Sequence, residues 1–233
     1  MIEFPDARDH VAPCRPTISC TADFASPGTL EAELGYQAAK GEFSYVRTFP
    51  YLFKLTLSKL LQLQVGGNGV TWAEPSRSLY FDNVQLGAKI HITDQSKYGP
   101  SFAVTGLVGL PIQSGLQAFV TLHASKDLGP LHADANAGVA ELAIDTTPIS
   151  QAFFAFALST SIQKSPFGLA LETYYFSDSP PTAPHDGGVR FVLTATPKPW
   201  LVFDMGGDVG FFPSVRSFSV FFGMSFVPAV FWR

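Results

Sequence analysis

From Gly28 onward, apolar and polar residues alternate along most of the chain with a period of two. The pattern is clearest in GGVRFVLTATPKPWLVFDMGGDVGF, residues 187–211. Val189, Phe191, Leu193 and Ala195 alternate with Arg190, Val192, Thr194 and Thr196. After Pro197-Lys198-Pro199-Trp200, Leu201, Phe203, Met205 and Val209 alternate with Asp204, Gly206, Asp208 and Gly210. Period two puts successive side chains on opposite faces of a strand. The same reading predicts twelve strands, roughly 29–39, 48–57, 60–67, 78–93, 100–110, 116–126, 131–141, 151–163, 167–178, 187–197, 200–211 and 217–227. Several are close to the nine to eleven residues that a tilted strand needs to cross a bilayer. Only Leu55–Leu63 would also suit an amphipathic helix, and the clean alternation on both sides favours a hairpin there.

The connections have their own rhythm. Tight joints fall at Ser58-Lys59, Lys126–Pro130, Lys164-Ser165-Pro166 and Pro197-Lys198-Pro199, with Asp94–Gly99 the longest of that set. Longer polar links, Lys40–Arg47, Gly67–Arg77, Leu142–Ser150 and Asp178–Asp186, alternate with them, and Ile112–Gly115 and Phe212–Arg216 are shorter members of the long set. Short turns at one end and longer loops at the other, with an even strand count, describe an up-and-down barrel whose termini share the short-turn end.

Which face looks inward follows from the residue types. One face of the last segment carries Phe218, Val220, Phe222, Met224 and Phe226, and the other carries Ser217, Ser219, Phe221, Gly223 and Ser225. In the eighth, Phe154, Phe156, Leu158 and Ile162 oppose Phe153, Ala155, Ala157, Ser159 and Ser161. A soluble sandwich would normally put Lys, Glu and Arg on its outer face. Large apolar residues toward lipid and small or polar ones toward an enclosed lumen suit a transmembrane barrel. In the fourth segment Val84, Leu86, Ala88, Ile90 and Ile92 then face out, and Asn83, Gln85, Gly87, Lys89 and His91 face in. The same register turns Glu31, Glu33, Lys54, Gln62, Gln64, His123, Asp134, Asn136, Glu172, Arg190, Asp204 and Asp208 inward. With Lys89, these are six carboxylates against three cations. Asp82 falls on the outward register near a strand end, where a rim position is cheap. Trp200, Trp232 and Tyr98 near one end, and Trp72, Tyr80 and Tyr175 near the other, suit interfacial aromatic girdles.

Composition agrees. Charged residues make up 15% of the 233, well under the roughly 25% of soluble domains, while apolar residues reach 46% and Phe numbers 22. No run of about 18 apolar residues provides a membrane-spanning helix. A formal net charge of −4 gives no footprint for nucleic acid. MIEFPDARDH has neither a basic n-region nor an apolar h-region, so export implies a leader already removed. Residues 1–26 are polar and aperiodic, an N-terminal arm ahead of a barrel spanning 27–233. Cys14 and Cys20, six apart, suit a small disulfide loop in an oxidising periplasm.

The segments FDNVQLGAKIHI (81–92), VTGLVGLP (104–111), HASKDLGPLHADANAG (123–138) and the closing hairpin with FSVFFGMSF resemble a family of bacterial outer-membrane transporters named for the meta-pathway of phenol degradation. The likeness covers about residues 79–227, with FKLTLSKLLQLQVG similar before it. This chain departs in Ile-Gln-Ser between Pro111 and Gly115 and in its Phe-Trp-Arg ending. The resemblance implies a twelve-stranded outer-membrane barrel.

Catalytic chemistry finds little support. His123, Ser125 and Asp127 lie near one turn, but a hydrolase needs Ser and His within hydrogen-bond reach and oriented by a third group. Gly66-Gly67, Gly187-Gly188 and Gly206-Gly207 lack the strand-to-helix setting of a phosphate loop. His91, His123, His132 and His185 are spread over different segments and predict no metal site. The expectation is therefore a barrel without cofactor, surrounded by outer-membrane lipid, acting as a channel for small solutes. The alternatives are a closed, salt-bridged barrel in a larger envelope complex or a lipid-active enzyme. The N-terminal arm would plug the periplasmic mouth or bind another envelope protein.

Overall fold

A computed structural model describes residues 10–15, 17–42, 44–75, 78–82, 84–110, 117–144, 147–163, 165–177, 185–212 and 217–232, with side chains left out at 142–144 and 147–149. Asn83 and residues 1–9 lie outside the described set. The chain forms β1 (Thr29–Lys40), β2 (Tyr45–Thr48), β3 (Tyr51–Thr56), β4 (Leu61–Gly67), β5 (Val70–Glu74), β6 (Ser78–Phe81), β7 (Val84–Thr93), β8 (Ser101–Leu110), β9 (Gln117–Leu128), β10 (Leu131–Ile144), β11 (Thr147–Ser161), β12 (Phe167–Phe176), β13 (Asp186–Lys198), β14 (Leu201–Gly210) and β15 (Phe218–Val230).

Every pairing is antiparallel, and β15 returns to pair with β1 from Thr29↔Val230 to Lys40↔Phe218, which closes the sheet into a barrel. Closure leaves no unpaired edge along the wall, as a bilayer demands. Fifteen strands build twelve staves because three staves are interrupted. β1 pairs with β3 through Leu30–Leu34 and with β2 through Gln37–Lys40, so β3 and β2 lie end to end. β4 continues into β5, and β6 into β7, in the same way. Pro50, with no N–H, marks the first break. Gly69 marks the second at φ 63°, where an added Cβ would stand 2.3 Å from the Phe49 carbonyl oxygen.

Three expected loops are shorter than the alternation suggested, Lys40–Arg47 among them because β2 begins at Tyr45. Gly67–Arg77 contains β5, and Leu142–Ser150 is largely strand, with β10 reaching Ile144 and β11 beginning at Thr147. Pro148 hid the β11 continuation from a pattern-based reading.

The faces sort as a membrane barrel requires. Leu86, Ile90, Ile92, Phe154, Leu171, Phe191, Phe203, Met205, Phe218, Val220 and Phe222 are exposed on the outside. The largest fully buried side chains include Lys54, Lys89, Gln62, Glu31, Glu33 and Glu172, whereas the buried apolar cluster among the described residues is Ala170, Val192 and Phe221. Burial is thus polar inside and apolar outside, the inverse of a water-borne protein.

Candidate functional site in the barrel lumen

Residues 10–15 and 17–28 enter the lumen as a loop from the short-turn end. Val11 N–H donates to the Pro199 carbonyl in the β13–β14 turn at 3.2 Å, and Gly28 N–H to the Thr56 carbonyl at the foot of β3 at 2.7 Å. Both ends of the loop therefore sit at one mouth. Cys14 and Cys20 are disulfide-bonded and close its tip.

The tip is held by main-chain donors aimed at wall acceptors. Ala12 N–H reaches Glu31 at 2.7 Å. Cys14 and Arg15 N–H donate to the two Glu33 oxygens at 3.0 and 2.9 Å. Across the barrel, Ile18 and Ser19 N–H donate to the two Glu172 oxygens at 2.9 and 2.6 Å. Asn136 takes the Cys20 N–H on its side-chain oxygen at 2.6 Å and returns its amide to the Cys20 carbonyl at 2.9 Å. Ala22 N–H donates to Ser125 Oγ. Lys54 Nζ reaches the Ala12 carbonyl and lies 2.6 Å from Glu33 and 3.4 Å from Glu31. Lys89 Nζ donates to the Thr21 carbonyl and sits 5.4 Å from the Phe24 ring centre. Charge-assisted bonds of this kind are the stronger class, and each buried carboxylate would be costly without them.

Of the residues that alternation turned inward, Glu31, Glu33, Lys54, Gln62, Gln64, Lys89, His123, Asn136, Glu172, Arg190, Asp204 and Asp208 are buried inside the barrel, and Gln85, His91 and Asp134 are half-buried. They fall into connected groups. Arg190 lies 3.0 Å from Asp208, which also accepts from Ser219 Oγ at 2.6 Å. Gln62 donates to Thr56 and, at 3.5 Å, to Glu31, and Gln64 donates to Gln62. His123 bonds Thr105 and Asn136. His132 bridges Asp127 and Asp134, and Ser125 Oγ donates to Asp134. His91, near the mouth, lies 2.9 Å from Asp94 and 3.4 Å from the Ala22 carbonyl of the arm.

Sequence reasoning missed Arg15. Its guanidinium lies 3.8 Å from Asp204, with side-chain exposures of 14% and 1%. Burial draws the Arg15 pKa below its ordinary value, and Asp204 and Glu33 act in the opposite sense. A signal did exist: Arg15 is the one charged residue between the two cysteines. Tyr174 was also missed; it shares the inward register of Glu172 and donates to Asp208 at 3.4 Å.

Two cavities flank the loop. Toward the short turns lies a space of about 800 Å³ lined by Asp23, Asp127, His132, Asp134, Ser159 and Thr194, among others. Toward the long loops lies one of about 260 Å³ lined by the disulfide, Gln64, Gln85, Thr105, His123 and Phe153, among others. Among the described residues, Arg15 alone lines both. No group of three or more His, Cys, Asp or Glu gathers as metal ligands among the described residues.

Comparison with solved structures finds the same architecture. The NanC porin superimposes with a TM-score of 0.62 at 13% identity, covering 84% of this chain and 98% of that one. The KdgM porin in complex with disordered oligogalacturonate gives 0.60 at 10%, covering 83% and 98%. An outer-membrane channel from Pseudomonas putida F1 gives 0.63 at 8%, covering 93% and 99%. No protein-family model matches the chain, and no curated protein does. At such identities the likeness establishes the fold: a closed, twelve-stave transmembrane β-barrel.

Proposed function

We propose that this chain is an outer-membrane channel for small solutes, with its N-terminal arm seated in the lumen as a plug. The observation that carries the reading is the pair of cavities, about 800 and 260 Å³, one on each side of the arm, with Arg15 lining both inside a polar, charge-lined lumen. A barrel meant only as an anchor could fill that space with packed side chains. Porins and channels among the structural neighbours support the same direction. In this reading the short turns are periplasmic and the long loops extracellular. The arm is then reachable by other envelope proteins from the periplasm, and lipid covers the exposed aromatic and aliphatic belt. The motif likeness to the phenol meta-pathway transporter family is kept as the finer assignment.

Six lumen carboxylates outnumber Lys54, Lys89 and Arg190 and still outnumber them with Arg15 added, so the pore should favour cations. Hydrolytic chemistry gains nothing from the geometry. The Ser125 hydroxyl donates a hydrogen bond to Asp134 and none joins it to His123, which is engaged by Thr105 and Asn136.

The density of arm-to-wall bonds favours one other reading, a permanently closed barrel with a structural role. Recording from the full-length protein in planar bilayers separates the two. Stepwise openings, more frequent after thiol reduction and with a reversal potential on the cation side, are expected of the channel. A flat trace over the whole voltage range, before and after reduction, would establish the closed barrel instead.

A further inference from the structure

Three wall positions lie side by side across the seam where the barrel closes. Gly35 of β1 pairs with Gly223 of β15, and Gly223 pairs with Asp204 of β14. All three point into the lumen. The two glycines leave a bare strip of backbone that ends at a carboxylate, and the Arg15 guanidinium lies flat against it. A Cβ on Gly35 would stand 2.0 Å from Arg15 Nη2 and 2.1 Å from Cζ, and one on Gly223 would stand 2.9 Å from Nη2. No other side chain fits between that plane and the wall. Nη2 also lies 3.5 Å from the Phe222 carbonyl.

Arg15 does not exhaust this seat. Both Asp204 oxygens are buried, and neither accepts a hydrogen bond from the described residues, Arg15 being 3.8 Å from Oδ1. A buried carboxylate with no donor calls for an explanation, because native structures leave few such groups unsatisfied. A planar ion carrying parallel N–H donors is the ligand that satisfies both oxygens at once. The guanidinium that fills the seat belongs to the one described residue that lines both cavities.

We propose that Gly35, Gly223 and Asp204 form a guanidinium-binding site, filled in the closed state by the chain's own Arg15, and that the solutes carried are small guanidinium-bearing molecules such as arginine derivatives and short arginine peptides. The arm is then an internal competitor: a solute that takes the seat removes the arm's side-chain anchor at the constriction. The binding site stands on the geometry alone, while its use in transport rests on the channel reading.

Full-length Arg15→Ala keeps the arm and vacates the seat. In planar bilayers this variant should conduct several-fold more than the parent chain, and millimolar guanidinium chloride should restore the block while ammonium chloride at equal ionic strength does not. Adding Asp204→Asn, or separately Gly35→Ala, to Arg15→Ala should raise the half-blocking guanidinium concentration about tenfold, the change expected from losing one good charged contact. Equal block by the two cations, or no change with both seat substitutions, overturns the site. Should Arg15→Ala conduct no current, the channel reading falls while the site stays testable, because guanidinium but not ammonium should raise the thermal midpoint of the detergent-solubilised Arg15→Ala variant. For transport, proteoliposomes of the parent chain should take up arginine amide about five- to tenfold faster than near-isosteric citrulline amide, which has the same α-amino group but a neutral ureido side chain. Equal rates would overturn the solute class and leave the site standing.

Discussion

Glu33 and Glu172 grip opposite sides of the same disulfide loop, each through two adjacent main-chain N–H groups, but the wall supports them differently. Glu33 has a lysine at 2.6 Å, and that lysine, Lys54, is shared with Glu31. Glu172 has Arg190 at 3.8 Å, while Arg190 sits 3.0 Å from Asp208. One anchor is a wall ion pair that the arm joins. The other receives its close hydrogen bonds from the arm. Withdrawal of the arm would therefore leave the β1–β3 side compensated and the β12 side exposed, so one anchor serves mainly the wall and the other mainly the arm.

The largest effect should come from breaking the wall pair itself. Lys54→Met leaves Glu31 and Glu33 buried without their cation, and the unfolding free energy should fall by about 3–5 kcal/mol, read from urea titration in lipid vesicles. A smaller fall would mean that the two carboxylates are stabilised by the arm rather than by the wall. Next is Glu172→Gln, which replaces one charged acceptor by an amide; about 1.5–3 kcal/mol of loop docking should be lost. Hydrogen exchange at Ile18, Ser19 and Cys20 should accelerate, with amides of β12 and β13 unchanged. If Glu33→Gln accelerates the same amides equally, the distinction between the anchors disappears.

Removing the cross-link, as Cys14→Ser with Cys20→Ser, should loosen both grips alike. Closing so short a loop is worth about 2 kcal/mol, measurable as protease sensitivity of the arm with an unchanged barrel melt. The smallest effect is expected from His91→Ala near the mouth, whose partner Asp94 is fully exposed; under about 1 kcal/mol should be lost.

Much of the barrel is legible in the alternation because lipid and lumen impose opposite demands at every second residue. Phe154 and Phe222 could face only one solvent, and Glu172 and Asp208 only the other. The interruptions were less legible. Pro50 and Gly69 break the hydrogen-bond pattern without ending the stave, so β2 and β5 read as loop. The arm was illegible for a different reason: its order comes from main-chain N–H groups, which every residue but proline carries, so no side-chain periodicity announces it. The wall nevertheless left a trace. Glu31, Glu33 and Glu172 on an inward register, with few cations among them, lacked enough donors, and that shortage was the sign of a further occupant.

The interrupted staves have one more effect, at the opposite mouth. β6 continues the β7 stave and, among the described residues, pairs only with β5, just as residues 147–151 of β11 pair only with β10. These extensions have a hydrogen-bonded neighbour on one side only, so their amides should exchange with solvent sooner than those of the closed wall.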